Sequence, residues 1–383
     1  MIYFDNAATS FKKPISVKFS TLVALYKYSA NPGRSGHRLS IKTAQKVLET
    51  RLRVADFFNC PSFESVIFTK NCTEALNLAI LGSAKENSHV IASCFEHNSV
   101  LRPLKYLESI GKIKLTIIQP KNKLENIKLT DIVDKVKENT SMICVNHISN
   151  VTGNKNDIEE IGKFCKLKNI LFLVDCAQSA GHIKIDMQKL NIDLLAFAGH
   201  KGLFAPQSIG GLCINTKNSP KAILFGGTGT NSKDLEQPKT LPEYYESGTI
   251  STPLILGLSA GIKYVEKNFC KNNNKTKKLT NYLYDNLKKV KDVYIYTKKE
   301  SHYGVVTFNI KNMNSSEVAT ILDEKYKICV RSGLHCAPLA HNYLQTLEQG
   351  AVRISLNHFN NKHQINKLIF AINQIINKKT TAR

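Results

Sequence analysis

The sequence predicts an α/β protein: a large doubly wound α/β/α domain around a seven-stranded, mostly parallel sheet, followed by a smaller α+β domain. Three observations lead there. Seven short apolar runs rich in β-branched residues lie between positions 66 and 214, with turns and helical stretches between them. Those runs are continuous, and continuous runs mark strands buried on both faces, as a parallel sheet needs. After Ser251-Thr252-Pro253 the pattern changes to longer helices and fewer strands. The length, 383 residues, suits one large and one smaller domain.

In order along the chain, the first run is Val66–Thr69, and a helical stretch at 73–81 follows it. Runs at 89–93, 114–118 and 142–146 supply the next three strands. A helix over 157–168 starts on an Asn156-Asp157 cap, because short polar side chains satisfy the free N–H groups of a first turn. Strands at 170–175, 193–197 and 209–214 complete the sheet. Helical crossovers between such strands give the three-layer domain. Beyond it, a helix at 254–267, a loop rich in Lys and Asn, and a second helix near 279–288 lead to strands at 303–310, 328–331 and 352–355. The boundary falls near 255, giving a large domain of 15–255 and a small one of 256–383 that takes in residues 1–14.

Composition narrows the function classes. With 42% hydrophobic and 22% charged residues the chain can bury a sizeable core, which excludes disordered, collagen-like and coiled-coil classes. No apolar run approaches the ~20 residues of a membrane span. Met1-Ile2-Tyr3-Phe4-Asp5-Asn6 has neither the basic nor the apolar region of a secretory signal, so the expected location is cytoplasmic, away from membranes. The formal net charge of +23 invites a nucleic-acid reading. The lysines, however, are spread from Lys12 to Lys379, many beside Asn or Ile, which is compositional drift and predicts no specific nucleic-acid partner. Only the tail at 377–383 has the look of a frayed basic end. The ten cysteines show no C-x-x-C pair and no zinc-type array, so free thiols and no metal site are expected.

In sheets of this kind ligands bind outside the carboxyl ends of the strands. Five predicted ends carry polar groups: Asn71-Cys72-Thr73-Glu74, Glu96-His97-Asn98, His147-Ile148-Ser149-Asn150, Asp175-Cys176-Ala177-Gln178 and Gly199-His200-Lys201-Gly202. Each has an ordinary explanation alone: Lys201 as a surface lysine, Asp175 as a helix cap, His97 as a core or capping histidine. Together they fit one cofactor, pyridoxal phosphate. A lysine desolvated at a strand end has a free amine that can form a Schiff base. A carboxylate on a neighbouring strand can hold the pyridine nitrogen protonated, so that the ring acts as an electron sink. A histidine can stack on that ring, and the Asn71-Cys72-Thr73 turn opens a helix whose N–H groups favour a phosphate.

On these and further segments the chain resembles the class V aminotransferase group of fold-type-I pyridoxal phosphate enzymes, and within it the SufS-like cysteine desulfurases. The segments run in order from Tyr3-Phe4-Asp5-Asn6-Ala7-Ala8-Thr9 through Asn31-Pro32-Gly33-Arg34-Ser35-Gly36-His37 and the five strand ends to Glu246-Ser247-Gly248-Thr249 and Val330-Arg331-Ser332-Gly333-Leu334-His335-Cys336-Ala337-Pro338. The resemblance implies Lys201 as the Schiff-base lysine, Asp175 as partner of the pyridine nitrogen, and His97 as the stacking, proton-relaying histidine. It implies Gln178 at the ring hydroxyl, Asn150 near substrate and cofactor, and Thr73, His200 and Thr249 at the phosphate, beside the Cys72 turn. Thr249 would reach in from the second subunit of a homodimer. Arg353 would hold the substrate carboxylate and Cys336 would take the sulfur. Two residues depart from the family: Ala198 stands where a hydroxyl residue is usual, and Cys72 where Thr or a small residue is usual. Leu334 replaces a common histidine.

The residues around Cys336 add a physical case. His335 and Arg331 are nearby cations that would stabilise a thiolate, and Gly333 with Ala337-Pro338 suits a mobile, solvent-reachable loop. The implied reaction converts L-cysteine to L-alanine and leaves a persulfide on Cys336 for a protein sulfur acceptor in iron–sulfur or related metabolism. A selenocysteine lyase or another lyase of the group is the alternative.

Overall fold

The computed structural model describes residues 1–33, 35–122, 124–230, 233–300 and 303–381. Arg34 of the segment quoted above and the terminal Ala382-Arg383 lie outside them. In chain order the elements begin β1 (Ile2–Tyr3), α1 (Ile15–Lys27), α2 (Arg38–Phe58), β2 (Val66–Thr69), α3 (Cys72–Ser83), β3 (Ser88–Ser93) and α4 (Asn98–Ser109). They continue with β4 (Ile113–Ile118), β5 (Thr140–Asn146), α5 (Ile158–Lys168), β6 (Leu171–Asp175), β7 (Leu194–Ala198) and β8 (Gly210–Ile214). Then come α6 (Thr252–Leu287), β9 (Val293–Ile295), β10 (Val305–Ile310), α7 (Ser315–Tyr326), β11 (Ile328–Cys329), α8 (Pro338–Tyr343), β12 (Val352–Ser355) and α9 (Lys362–Thr381).

All seven apolar runs enter one sheet, in the order β2-β8-β7-β6-β5-β3-β4. Only β8 runs against its neighbours, pairing antiparallel with both β7 and β2. Six carboxyl ends therefore point to one edge. The two faces separate as period-two geometry demands. Phe68, Ile143, Val174 and Phe197 share a core with α2, α5 and the first half of α6. Ile67, Val90, Met142 and Leu212 share another with α3 and α4. The edge strand β4 is the exception to two-sided burial, with Lys114 exposed.

A third core gathers Leu279, Leu283 and Leu287 of α6, Val306 and Phe308 of β10, Val352 and Ile354 of β12, and the apolar face of α9. Its antiparallel sheet has the order β12-β10-β9, and β1 pairs in parallel with β11, which brings Phe4 into this core. Strand β9 gives no signal in the sequence, being three residues long with Tyr294 exposed. No helix among the described residues is long and apolar enough to cross a membrane.

Three local expectations are corrected. The Lys/Asn stretch 271–275 is not a loop: α6 is one helix of 36 residues. The stretch holds neither Gly nor Pro, and the weak helix propensity of Asn is overridden by the buried face that resumes at Thr276, Leu279 and Leu283. Asp157 makes no side-chain cap on α5. Asn156 instead turns inward, its Oδ1 accepting from Ile127 N at 2.8 Å and its Nδ2 donating to Asn146 O at 2.7 Å. Finally, the tail is helical as far as Thr381, as the last turns of α9.

The continuity of α6 is testable. Asn274→Pro removes one helical hydrogen bond and drives its ring against the carbonyl one turn back, costing about 3 kcal/mol or more within a helix and little within a loop. Equilibrium urea denaturation is expected to show that loss, and an unchanged midpoint would contradict a continuous helix.

Candidate active site

The carboxyl edge of the sheet closes over a cavity of about 210 Å³. Lys201 enters it three residues past the end of β7, and Asp175 is the last residue of β6. His97 follows β3, Asn150 follows β5, Gln178 lies three residues beyond Asp175, and Arg353 arrives from β12 beside the third core. Cys72, Thr73 and His200 also face it. Nine of the residues singled out from the sequence thus share one cavity. Cys336 and Thr249 do not line it.

Burial lowers the Lys201 amine below its ordinary value, against the pull of Asp175 and with help from Arg353 and Arg331. The amine is therefore easier to free as a nucleophile or base. Burial pushes the Asp175 carboxyl up, while the N–H of Ala177 at 2.9 Å, the charge of Lys201 and the Cys72 thiol at 3.6 Å hold it down. Cys72 sits at the start of α3 with its own thiol driven well up by burial and by Asp175, so it remains a neutral contact.

Two helix N-termini meet at the cavity. Asn71 caps α3, accepting from Glu74 N at 2.9 Å. His97 caps α4, its Nδ1 accepting from Ser99 N at 3.1 Å. Thr73 Oγ1 and Ser99 Oγ lie 2.8 Å apart and join them. Burial, then the charges of Lys201, Arg331, Arg353 and Arg102, push His97 down to about 4, so the ring is neutral near pH 7. With Nδ1 accepting from a backbone N–H, the hydrogen-bond network places its proton on Nε2. His200 is likewise lowered to about 4, by burial and then by Lys201 and Lys13. Its Nδ1 is buried without a protein partner. An unmet buried donor or acceptor costs roughly 1–3 kcal/mol, and an anion held between two helix ends would meet it.

Arg353 is fully buried. Its Nη1 donates to Asn150 O at 3.0 Å, its Nη2 pairs with Asp5 Oδ1 at 2.8 Å, and its Nε has no protein partner. Part of the fork expected for a substrate carboxylate is thus already engaged. Asn150 also donates from Nδ2 to His335 O at 2.8 Å, linking Arg353 to the Cys336 loop. Gln178 donates to Ala7 O at 3.0 Å.

The surroundings of Cys336 are partly as expected. Arg331, which lines the cavity, has its Nη2 3.3 Å from the sulfur. His335 is no cation: it is buried, stacked on His341 at 5.2 Å, and pushed down to about 2 by burial first and by Arg353, His341 and Arg331 after it. The loop is held by hydrogen bonds from Asn98 N to Cys336 O at 2.7 Å and from Ala351 N to Gly333 O at 3.1 Å. His335 and Cys336 both adopt left-handed backbone, with φ of 51° and 57°, an uncommon state that the surrounding bonds must enforce. Thr249 is exposed outside the cavity, 3.4 Å from Asn31 Nδ2.

Sequence reasoning gave no role to Asp5, Ser99 or Glu96, though Asp5 and Glu96 lie in the quoted segments and Ser99 directly follows one of them. Glu96 is fully buried and raised to about 8 by burial, opposed by bonds from Ser93 and Asn146, so it is protonated near pH 7. It braces the strand end from which His97 projects.

Comparison with known proteins decides the family. The aminotransferase class-V profile matches residues 2–368. The chain belongs to that family. Within the class-V group the chain is similar to desulfurases: a "Probable cysteine desulfurase" of Pyrococcus abyssi is 36% identical over 98% of this chain and 94% of its own length. Another of that description from Methanothermobacter thermautotrophicus is 33% identical over 96% and 92%. An apo cysteine desulfurase structure from Thermococcus onnurineus NA1 superposes with a TM-score of 0.92, at 34% identity over 98% of this chain and 95% of that one. The chain is a class-V member of the cysteine desulfurase group with the expected α/β fold, and that family implies pyridoxal phosphate.

Proposed function

We propose that this chain is a homodimeric, pyridoxal-phosphate-dependent cysteine desulfurase that converts L-cysteine to L-alanine and carries the sulfur as a persulfide on Cys336. The observation that supports it most is the gathering of Lys201, Asp175 and the unpartnered His200 Nδ1 in one cavity between two helix N-termini. That donor set fits the cofactor. Lys201 would hold it covalently, Asp175 its pyridine nitrogen, His97 one ring face and Gln178 the ring hydroxyl. His200, Thr73 and the α3 N-terminus with Cys72 would hold the phosphate, joined by Thr249 of a second subunit, since Thr249 is exposed outside its own cavity. Ala198 contributes no hydroxyl there, which leaves more of the phosphate to His200 and the helix ends. When bound, the cofactor serves as an electron sink for a carbanion at the substrate α-carbon.

Each remaining task falls to a side chain. Arg353, charged and buried, offers Nε and the rest of its fork to the substrate carboxylate, with Asn150 beside it. Lys201, whose amine burial makes easier to deprotonate, takes the α-proton. Neutral His97 presents Nε2–H and can relay a proton. Arg331 stabilises the Cys336 thiolate, which attacks the substrate sulfur; the S–S bond forms as the C–S bond breaks, and the products are alanine and the persulfide. A protein thiol then accepts the sulfur for iron–sulfur or related use. The test is release of alanine and, with reductant, sulfide from L-cysteine by the purified protein, with L-selenocysteine in parallel. Equal alanine and sulfide from L-cysteine is expected. Turnover of L-selenocysteine alone would move the reading to a selenocysteine lyase.

A further inference from the structure

The residue that precedes Lys201 carries an unusual load on its carbonyl. His200 O accepts from Ser10 N at 3.1 Å, Ser10 Oγ at 3.0 Å, Lys13 Nζ at 2.9 Å and, more distantly, Thr9 Oγ1 at 3.4 Å. A carbonyl offers two lone pairs, so four donors, one of them charged, is more than satisfaction requires. Lys13 Nζ also lies 2.8 Å from Ser10 Oγ, which fixes the donors relative to one another. The same segment reaches the site twice more, through Asp5 on Arg353 and through Ala7 O on Gln178. Its upstream end is anchored to β12 by Ala7 N donating to Ser355 Oγ at 2.8 Å. Lys13 does not line the cavity and is half-buried, and it forms no salt bridge among the described residues.

From this geometry we propose that Lys13 is a positioning residue: with Thr9 and Ser10 it clamps the His200–Lys201 peptide and so sets where the Lys201 amine sits in the cavity. The inference rests on the role of Lys201 given above. A shift of ~1 Å in a reacting group can cost a hundredfold in rate, and a charged hydrogen bond to a fixed carbonyl resists such a shift. Burial supports the assignment, for it lowers the Lys13 amine to about 8, and an amine taken from water depends on the acceptors it has.

The test uses the full-length holoenzyme with Lys13→Met, which keeps the length and apolar stem, and Lys13→Arg, which can donate to the same carbonyl. Lys13→Met is expected to lower kcat per bound cofactor about tenfold with KM for L-cysteine within about twofold, because Arg353 and Asn150 are untouched. The fraction of bound cofactor that borohydride fixes to Lys201 should fall with it. Lys13→Arg should restore most of both, and thermal melting should leave the variants close to the parent. Ser10→Ala, which removes one donor and keeps the backbone bond, should show a smaller loss of the same kind. Fixation at some other lysine in the unsubstituted enzyme overturns the reading of the site and this inference with it. Normal fixation there, with Lys13→Met indistinguishable from the parent or Lys13→Arg no better than Lys13→Met, overturns this inference alone.

Discussion

Cys336→Ala is expected to retain bound cofactor and lose desulfuration of L-cysteine by roughly a thousandfold or more, the scale seen when a nucleophile is deleted. Cofactor retention follows from geometry: the sulfur touches Arg331 and lies outside the cavity that holds Lys201, Asp175 and His200. The loop conformation should survive because it is held through the backbone of Asn98 and through Asn150, not through the sulfur. The loss follows from chemistry: sulfur leaves carbon only when another atom accepts it, and among the described residues the thiol that lines the cavity is Cys72, which burial keeps protonated. Mass spectrometry should find 32 Da, about one sulfur atom, added at Cys336 of the parent after brief exposure to L-cysteine without reductant, and nothing in the variant. Undiminished sulfide release by Cys336→Ala would remove the assignment. Selenium leaves more readily, so L-selenocysteine turnover that survives the change would mark a lyase in which the thiol is dispensable.

Lys201→Ala should abolish turnover of both substrates and leave the cofactor bound only through non-covalent contacts. A positioned base contributes roughly 10²–10⁴-fold by itself, and the loss of covalent attachment adds to that. The substitution also removes a cation that lies against Asp175 and depresses His97 and His200. Both imidazoles should therefore titrate higher in the variant, which NMR of the ring protons can follow independently of activity. In the parent, borohydride should fix the cofactor to the peptide that contains Lys201. Attachment at another lysine would refute the site.

Much of this molecule is written locally. A run such as Ile143-Cys144-Val145 is apolar on both faces because the sheet is covered on both faces, so all seven strands are legible from pattern alone. The polar residues that end those runs are legible for a related reason. A strand that is buried throughout has nowhere but its end to place an ionisable group, and parallel strands bring their ends together. The sequence by itself therefore determined the large sheet, its layers and eight of the residues that line the cavity, while the ninth, Arg353, is implied only by the family resemblance and arrives from β12. Other features depend on what lies across space. The stretch 271–275 is helical because the turns on either side of it pack, whatever its own propensity. His335 is neutral because a dry interior, and then Arg353 and His341, surround it, although near Arg331 in sequence it reads as a cation. Asp5 meets Arg353, and Lys13 meets His200, across 348 and 187 residues. Sequence pattern reports which side chains want to be buried. Only the tertiary structure decides which charges and hydrogen-bonding groups are taken out of water together, and desolvation, acting over a few ångströms regardless of chain separation, sets their protonation and their grip on one another.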